Sequence, residues 1–245
     1  MSASEYRMEY LPNEVRNFID FMRIKMGVRN IEFQPALNRG LYARTSSDPD
    51  NCPVRTRCDF SITPTVLYNH HWEIEELIFF RRVTEHRPAV VVVDVGANMG
   101  FFSRQVLGWS QNIARLFAYE PEPENFACLQ HNLACFNNVT AEMAGLAESD
   151  GSVTLHIDMR NCGNNSLVSD QLAGAWHKAA IEVTVRDIVR ESRRWLEHAL
   201  PVFYKSDTQG YDELLLSLLP DDVCDAIIGG VIEVEQIDKP AFSVE

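Results

Sequence analysis

The chain has 245 residues, of which 46% are hydrophobic and 23% are charged. Its 22 Lys and Arg residues against 35 Asp and Glu residues give a net charge of −13. This composition is typical of one large globular domain, or of a domain with an extension, and it argues against disorder. The acidic balance argues against nucleic acid as the main partner, because a phosphate backbone is bound by clustered Lys and Arg.

The sequence carries no sign of export or membrane insertion. No segment approaches the roughly 20 consecutive apolar residues that a membrane-spanning helix needs, and residues 1–6 lack the charged start of a secretory signal. The six cysteines show no disulfide-framework spacing. We therefore expect a cytoplasmic protein with reduced thiols and no membrane span. The spacing of Cys52 and Cys58 is not that of a usual zinc site, so we expect no metal either.

The first 85 residues differ in sequence pattern from the rest of the chain, which predicts an N-terminal extension. Residues 12–26 carry apolar side chains at helical spacing and are followed by Gly27, which predicts an amphipathic helix. Proline and glycine punctuate residues 30–64, which predicts an irregular, loop-rich segment. A second helix over about residues 72–83 then leads into a core domain over residues 86–245.

The core domain alternates strands with helices. The predicted strands cover residues 89–95, 115–120, 139–147, 153–157, 183–189 (a strand or strand-to-helix join), 202–206 and 230–235. The predicted helices cover residues 101–109, 122–136, 191–200 and 212–219. Strands separated by helices predict right-handed βαβ units and a mostly parallel sheet with helices on both faces, which is an α/β fold.

One segment after the first core strand has the features of a ligand loop. Asp94 ends the apolar run, Gly96 and Gly100 allow a tight turn and close approach of a ligand, and a helix follows. The start of that helix offers free N–H groups to a carboxylate or phosphate. Glu120 ends the next strand, where an acid in nucleotide-binding sheets accepts hydrogen bonds from ribose hydroxyls. Together these residues predict a nucleoside site at the first crossover of the sheet.

The same loop discriminates between nucleoside cofactors. A dinucleotide fingerprint needs glycine where this chain has Asn98 and Phe101, so two of its three glycines are missing. The absence of a Gly-x-x-x-x-Gly-Lys-Ser/Thr loop excludes a P-loop nucleotidase. An Asp before a Gly-x-Asn-x-Gly loop fits S-adenosyl-L-methionine better. The ammonium group in the amino acid tail of that cofactor needs an acidic partner, and the carboxylate of the tail needs anion-binding amides.

Several motifs in the expected order carry a family resemblance. They are Asp94-Val95-Gly96-Ala97-Asn98-Met99-Gly100-Phe101-Phe102-Ser103, Tyr119-Glu120-Pro121-Glu122-Pro123-Glu124-Asn125-Phe126, Ser149-Asp150-Gly151, Asn165-Ser166-Leu167 and Lys205-Ser206-Asp207-Thr208-Gln209-Gly210. Over about residues 85–237 the chain resembles the FkbM family of S-adenosylmethionine-dependent methyltransferases. The resemblance implies a class I methyltransferase (Rossmann-like) fold and O-methylation of a hydroxyl on a small molecule, sugar or glycan. Lys205-Ser206-Asp207 departs from the Lys-Ile-Asp run usual in the family.

The resemblance also implies which residues bind the cofactor. Glu120 would hold the ribose, and the turn at Ala144 and Gly145 would flank the adenine through its backbone, since it lacks the acid that many class I enzymes place there. The full set that the resemblance implies is Asp94, Gly96, Ala97, Asn98, Gly100, Ser103, Glu120, Pro121, Ala144 and Gly145.

Methyl transfer to a hydroxyl needs alignment of the two reactants and an acceptor for the proton. Asp207 follows a sheet strand at its carboxyl end, where ligands bind in such folds, and is the candidate base. Lys205, two residues earlier on the same face, is its candidate partner. Asp207 could instead cap the helix that begins near Asp212, or position the cofactor.

Two other interpretations remain open at this level. The first is a catalytically silent cofactor-binding scaffold that works through protein contacts, and the weaker second is a nicotinamide-dependent dehydrogenase. In the methyltransferase interpretation, residues 1–85 would form a lid over the acceptor or a dimer surface.

Only residues 236–245 follow the last predicted strand, too few for the antiparallel strand pair that usually ends a class I sheet. We therefore expect either a truncated chain or a sheet edge completed by the N-terminal arm or by another subunit of a homo-oligomer.

Overall fold

The computed structural model describes most of the core domain and parts of the N-terminal extension. The described residues are 31–35, 40–45, 54–57, 59, 61–69, 71–158, 161–168 and 178–234. The helix predicted over residues 12–26 lies outside them, as do Cys52 and Cys58. Within these ranges, every helix is too short or too polar to cross a membrane.

Eleven strands and seven helices make up the described structure. The strands are β1 (Ile31–Pro35), β2 (Gly40–Thr45), β3 (Val54–Arg57), β4 (Val90–Val95), β5 (Ile113–Tyr119), β6 (Val139–Glu142), β7 (Gly145–Ala147), β8 (Gly151–Asp158), β9 (Lys178–Asp187), β10 (Val202–Ser206) and β11 (Ile227–Ile232). The helices are α1 (Ile62–Asn69), α2 (Ile74–Thr84), α3 (Phe101–Trp109), α4 (Pro123–Leu133), α5 (Ile188–Trp195), α6 (Asp212–Ser217) and α7 (Asp221–Ala226).

The centre of the molecule is a five-stranded parallel sheet in the order β11-β10-β4-β5-β6. From β4 the chain moves outward through β5 to β6, and β10 later pairs with the other side of β4. The strand order therefore reverses beside β4, and the carboxyl ends of β4, β5 and β10 border the crevice where ligands bind in open α/β sheets. This confirms the predicted α/β, mostly parallel, Rossmann-like architecture.

Side chains alternate along the central strands and build a separate core on each face of the sheet. On one face, Val90 and Val92 pack with α2, α3 and α4 through residues such as Leu77. On the other, Val91 and Val93 pack with α5, α6 and α7. All six residues of β4 are buried, which explains why the sequence shows a continuous apolar run there. Helices thus cover both faces, as predicted.

Two smaller sheets flank the centre and correct two expectations. The segment predicted to be irregular contains β1, β2 and β3, which pair as an antiparallel sheet. Arg57 at the end of β3 donates to Glu122 (2.7 Å), Glu124 (2.6 Å) and Asn125 (2.7 Å) at the start of α4. The single strand predicted over residues 139–147 is divided, because β6 joins the central sheet whereas β7 pairs with β9 in a β7-β9-β8 sheet.

Candidate active site

The loop between β4 and α3 holds three residues in the left-handed backbone region. The φ angles are 73° at Gly96, 53° at Asn98 and 80° at Gly100. A Cβ atom at Gly96 would lie 1.9 Å from the carbonyl oxygen of Asp207, and one at Gly100 would lie 2.6 Å from Leu129 Cδ1. Gly96 therefore lets the β4 loop contact the loop after β10, and Gly100 lets α3 begin against α4.

Glu120 fixes the crossover between β4 and β5. Its Oε2 accepts a hydrogen bond from the Asn98 backbone N–H (2.7 Å), and its Oε1 accepts one from the Glu122 N–H (2.9 Å). Glu120 is buried. The Asn125 side chain also donates to this carboxyl group. A carboxylate offers about four lone-pair positions, so these three bonds leave one for a hydroxyl group of a ligand.

Burial raises the pKa of Glu120 to about 8. The N–H donated by Glu122 lowers this pKa, the charge of the Glu122 carboxylate raises it, and the N–H of Asn98 lowers it again. The ionised form is therefore disfavoured at neutral pH, and further hydrogen-bond donors would favour it. Ligand hydroxyls are such donors.

The Asn98 side chain ties the β4 loop to the segment over residues 161–168. Its Nδ2 donates to the Cys162 carbonyl oxygen (2.9 Å), which also accepts from Asn125 Nδ2 (3.3 Å). Its Oδ1 accepts from the Met99 N–H (2.8 Å). Asn98 thus occupies the position where a dinucleotide fingerprint has glycine, and its side chain is committed to holding the neighbouring segment.

Lys205 lies at the centre of a buried charge cluster. Its Nζ is 3.6 Å from Glu73 Oε2, 3.8 Å from Asp94 Oδ1 and 3.9 Å from Asp207 Oδ2. It also lies 5.3 Å from the centre of the Phe102 ring. All three distances to carboxylate oxygens exceed that of a hydrogen bond. The ammonium group is therefore held by charge rather than by hydrogen bonds to these three carboxylates.

The pKa values in this cluster follow from burial and charge. Burial alone would lower the pKa of Lys205, but Glu73, Asp94 and Asp207 outweigh it, and its pKa is raised. Burial raises the pKa of Asp94, against the opposing effects of Lys205 and of the Ser103 hydroxyl, which donates to Asp94 Oδ2 (2.6 Å). Lys205 is therefore a cation at neutral pH.

Two cavities open on either side of the contact between Gly96 and Asp207. The Lys205 cavity encloses about 290 Å³ and is lined by residues that include Trp72, Glu73, Phe101, Asn161, Lys205 and Glu233. The Glu120 cavity is smaller and encloses about 50 Å³. Its lining includes Glu120, Pro121, Gly145, Leu146 and Tyr211. Gly96, Asn98, Gly163 and Asp207 line both cavities.

The predicted site residues divide into two groups. Those that line a cavity are Gly96, Ala97, Asn98, Glu120, Pro121, Gly145, Lys205 and Asp207. Those that line neither are Asp94, Gly100, Ser103 and Ala144. The second group lies behind the cavity walls: Asp94 and Ser103 bond each other, and Gly100 packs on Leu129. We infer that this group supports the lining residues.

Three lining residues were not singled out from the sequence for a role. Trp72 and Glu73 precede α2, and Gln209 donates from Nε2 to Asp207 Oδ1 (2.8 Å). Nothing in the periodicity separates Glu73 from Glu75 and Glu76, which follow it. Gln209 was visible only as part of the motif around Asp207.

Comparison with known proteins adds little to this geometry. No family model matches the sequence, and no curated protein matches it. Among solved structures, the crystal structure of the methyltransferase FkbM from Methylobacillus flagellatus KT is similar at 20% identity and a TM-score of 0.32, over 50% of this chain. The match covers 27% of that protein. A similarity this distant carries no functional argument.

Proposed function

We propose that the protein is an S-adenosyl-L-methionine-dependent methyltransferase that methylates a hydroxyl group of a small molecule, sugar or glycan. The observation that carries the proposal is the pair of cavities that meet at Gly96 and Asp207. One cavity offers a buried acid at the end of β5, suited to a ribose. The other offers an independent space for an acceptor. A donor and an acceptor could therefore approach each other at the shared wall.

The residues of the Glu120 cavity fit a nucleoside. Glu120 keeps one lone-pair position for a ribose hydroxyl, and both of its oxygens are held in place by backbone N–H groups. Pro121 and Leu146 supply apolar surface, and Gly145 supplies backbone, for an adenine. The missing Cβ of Gly96 keeps the shared wall thin. When bound, the cofactor would supply an electrophilic methyl group.

Asp207 is the residue that we propose as the base. Asp207 lines both cavities, and its Oδ1 accepts from Gln209 Nε2 (2.8 Å), which fixes the orientation of the side chain. As the new carbon–oxygen bond forms and the carbon–sulfur bond breaks, the acceptor hydroxyl must lose its proton, and Asp207 would take it. Lys205 would stabilise the neighbouring carboxylates and hold the site together.

The N-terminal extension supports the acceptor side of this proposal. Ser61, Ile62, Trp72 and Glu73 all precede the core domain and line the Lys205 cavity. We propose that this part of the extension covers the acceptor. We also propose that the domains divide the work, with residues 86–245 binding the cofactor and residues 1–85 contributing to acceptor recognition.

Cofactor binding and transfer test the proposal separately. Calorimetry should show binding of S-adenosylmethionine and of S-adenosylhomocysteine, and no binding of a nicotinamide dinucleotide. Incubation with methyl-labelled cofactor and a panel of hydroxylated metabolites and glycans should then label at least one acceptor. Binding without transfer would favour a silent scaffold, and binding of the dinucleotide alone would favour a dehydrogenase.

A further inference from the structure

Backbone strain is concentrated around the Lys205 cavity. Among the described residues, four other than glycine have φ in the left-handed region: Glu73, Asn98, Ala199 and Gln209. Three of these four line the Lys205 cavity. Such conformations are unfavourable for residues with a side chain and cluster where a site must be held ready for a ligand. The cavity is therefore a prepared site rather than an incidental space.

Glu73 is the least expected of the strained residues. Its φ and ψ are 52° and 57° at the start of α2, and its side chain makes no capping hydrogen bond to that helix. Its Oε2 is buried and accepts no hydrogen bond from any described residue. The Glu73 carboxyl group shares a hydrogen bond with that of Glu76, and the Glu73 backbone oxygen accepts one from the Leu77 N–H (3.1 Å). This leaves Oε2 without a hydrogen-bond partner in a residue that lines the cavity.

Buried polar atoms beside Glu73 also lack hydrogen-bond partners. Asp94 is fully buried, and its Oδ1 accepts no hydrogen bond from the described residues. Lys205, of which only 3% is exposed, lies between Asp94 and Glu73 at 3.8 and 3.6 Å. Of these groups, Glu73 lines the cavity, and its Oε2 has bonding capacity that a polar ligand in the cavity would complete.

The charge of the cavity wall selects the kind of ligand. Two of its lining carboxylates, Glu73 and Asp207, face the same single cation, Lys205. Lys205 also faces Asp94 behind the wall, so its charge is shared among three carboxylates. The wall therefore carries excess negative charge, which a protonated amine compensates and a neutral hydroxyl group does not. Trp72 and Phe101, which also line the cavity, provide ring surface suited to a cation.

We propose that the acceptor carries a protonated amine, as an amino sugar or amino polyol does, and that Glu73 in the Lys205 cavity binds this ammonium group. This proposal rests on the proposed methyltransferase function. Glu73 would determine specificity, and Asp207 at the wall shared with the Glu120 cavity would remain available for the reacting hydroxyl.

Matched pairs of sugars test the proposal in a binding experiment that needs no turnover. The protein is saturated with S-adenosylhomocysteine, which has no methyl group to transfer. Glucosamine, galactosamine and 2-deoxystreptamine are then titrated against their N-acetylated counterparts by calorimetry. At least one amine should bind more tightly than its acetylated partner, on the order of 10- to 100-fold, as a charged hydrogen bond requires. If every acetylated compound binds as tightly as its amine, the proposal is wrong.

Variants at one helix start assign the effect to Glu73. Glu73→Gln should remove most of the preference for the amine while leaving the affinity for the acetylated compound unchanged. Glu75→Gln is the matched control, because Glu75 is exposed on the first turn of the same helix and does not line the cavity. Glu73→Gly, which relieves the left-handed strain and removes the carboxylate, should also lose the preference. A preference that persists in both Glu73 variants contradicts the proposal.

The same titrations without S-adenosylhomocysteine separate the two proposals. If S-adenosylhomocysteine does not bind, the methyltransferase proposal fails, and the amine preference of the free protein still decides the role of Glu73. If it binds and no amine is preferred, the Glu73 proposal fails and the methyltransferase proposal stands.

Discussion

Gly96 and Asp207 are in backbone contact where β4 and β10 end, so close that a Cβ atom on Gly96 would lie 1.9 Å from the Asp207 carbonyl oxygen. The Asp207 N–H in turn donates to the Val95 carbonyl oxygen (3.0 Å). The contact forms the wall between the two cavities. The wall is thin because Gly96 has no side chain.

Replacement of Gly96 should therefore be costly. Gly96→Ala combines a left-handed φ of 73° with a clash against backbone, and we expect a loss of about 3 kcal/mol in the free energy of unfolding. Gly108→Ala is the matched control: Gly108 lies in α3 with open space around its Cβ position, and this change should stabilise by about 0.5–1 kcal/mol. Urea denaturation measures both. Equal changes in the free energy of unfolding in the two variants would contradict the contact between Gly96 and Asp207.

Glu120 should dominate cofactor affinity. Glu120→Ala removes the carboxylate that we assign to the ribose, and cofactor binding should weaken by about 1.5–3 kcal/mol. Calorimetry with S-adenosylhomocysteine measures the change, and Glu197→Ala, at an exposed position after α5, is the control. Glu120→Gln keeps one carbonyl acceptor and should lose less. Unchanged affinity in Glu120→Ala would show that the ribose lies elsewhere.

Glu120 should also make stability depend on pH. Its pKa rises from an ordinary value of 4.5 to about 8 in the folded protein, mainly through burial. Between these values the folded state holds a proton that the unfolded chain has released, so the free energy of unfolding should fall as the pH rises from 4.5 to 8. Glu120→Gln has no such proton, and its stability should vary less over this range. Denaturation of the wild type and of Glu120→Gln at pH 5 and pH 8 measures this difference. If the free energy of unfolding changes equally with pH in both proteins, the pKa of Glu120 is not raised.

The buried cluster around Lys205 predicts a non-additive pair of substitutions. Lys205→Met leaves Asp94 buried without its cation, and we expect a loss of about 3–5 kcal/mol in the free energy of unfolding. Adding Asp94→Asn removes the unpaired charge and retains a partner for the Ser103 hydroxyl, so the double variant should recover much of the loss. Additive losses in a double-mutant cycle would show that Lys205 and Asp94 act independently.

The parts of the fold that follow local patterns were predictable from the sequence. Helix α3 (Phe101–Trp109) and strand β10 (Val202–Ser206) match their predicted bounds, because a glycine turn marks the start of one and a buried apolar run forms the other. The loop that begins at Gly96 and the acid Glu120 are likewise marked by local sequence, and the structure places them together through the Asn98 N–H.

Features that depend on distant pairing were not predictable in this way. Strands β1 to β3 are four to six residues long and end near Pro and Gly residues, so their local pattern is that of a loop and only their mutual pairing makes them a sheet. The division between β6 and β7 depends on which neighbour each strand meets. Glu73 is adjacent to Lys205 only because α2 packs on the sheet. Sequence periodicity contains none of these contacts.

Asp207 should affect turnover far more than cofactor affinity. Asp207→Asn preserves the shape of the side chain and an acceptor for Gln209 Nε2, but it removes the basic carboxylate. With an acceptor identified from the labelled panel, kcat should fall by about 10²- to 10⁴-fold, the range typical of general bases. The Kd for S-adenosylhomocysteine should change by no more than about threefold, because in the proposed arrangement the ribose is bound at Glu120.

A control variant and two contrary outcomes test the assignment of Asp207 as the base. Asp225→Asn, at an exposed position on α7, should leave both kcat and Kd unchanged. If Asp207→Asn lowers cofactor affinity as much as turnover, Asp207 is a cofactor ligand and the proton must leave by another route. If it instead lowers only stability, its contact with Gln209 is structural.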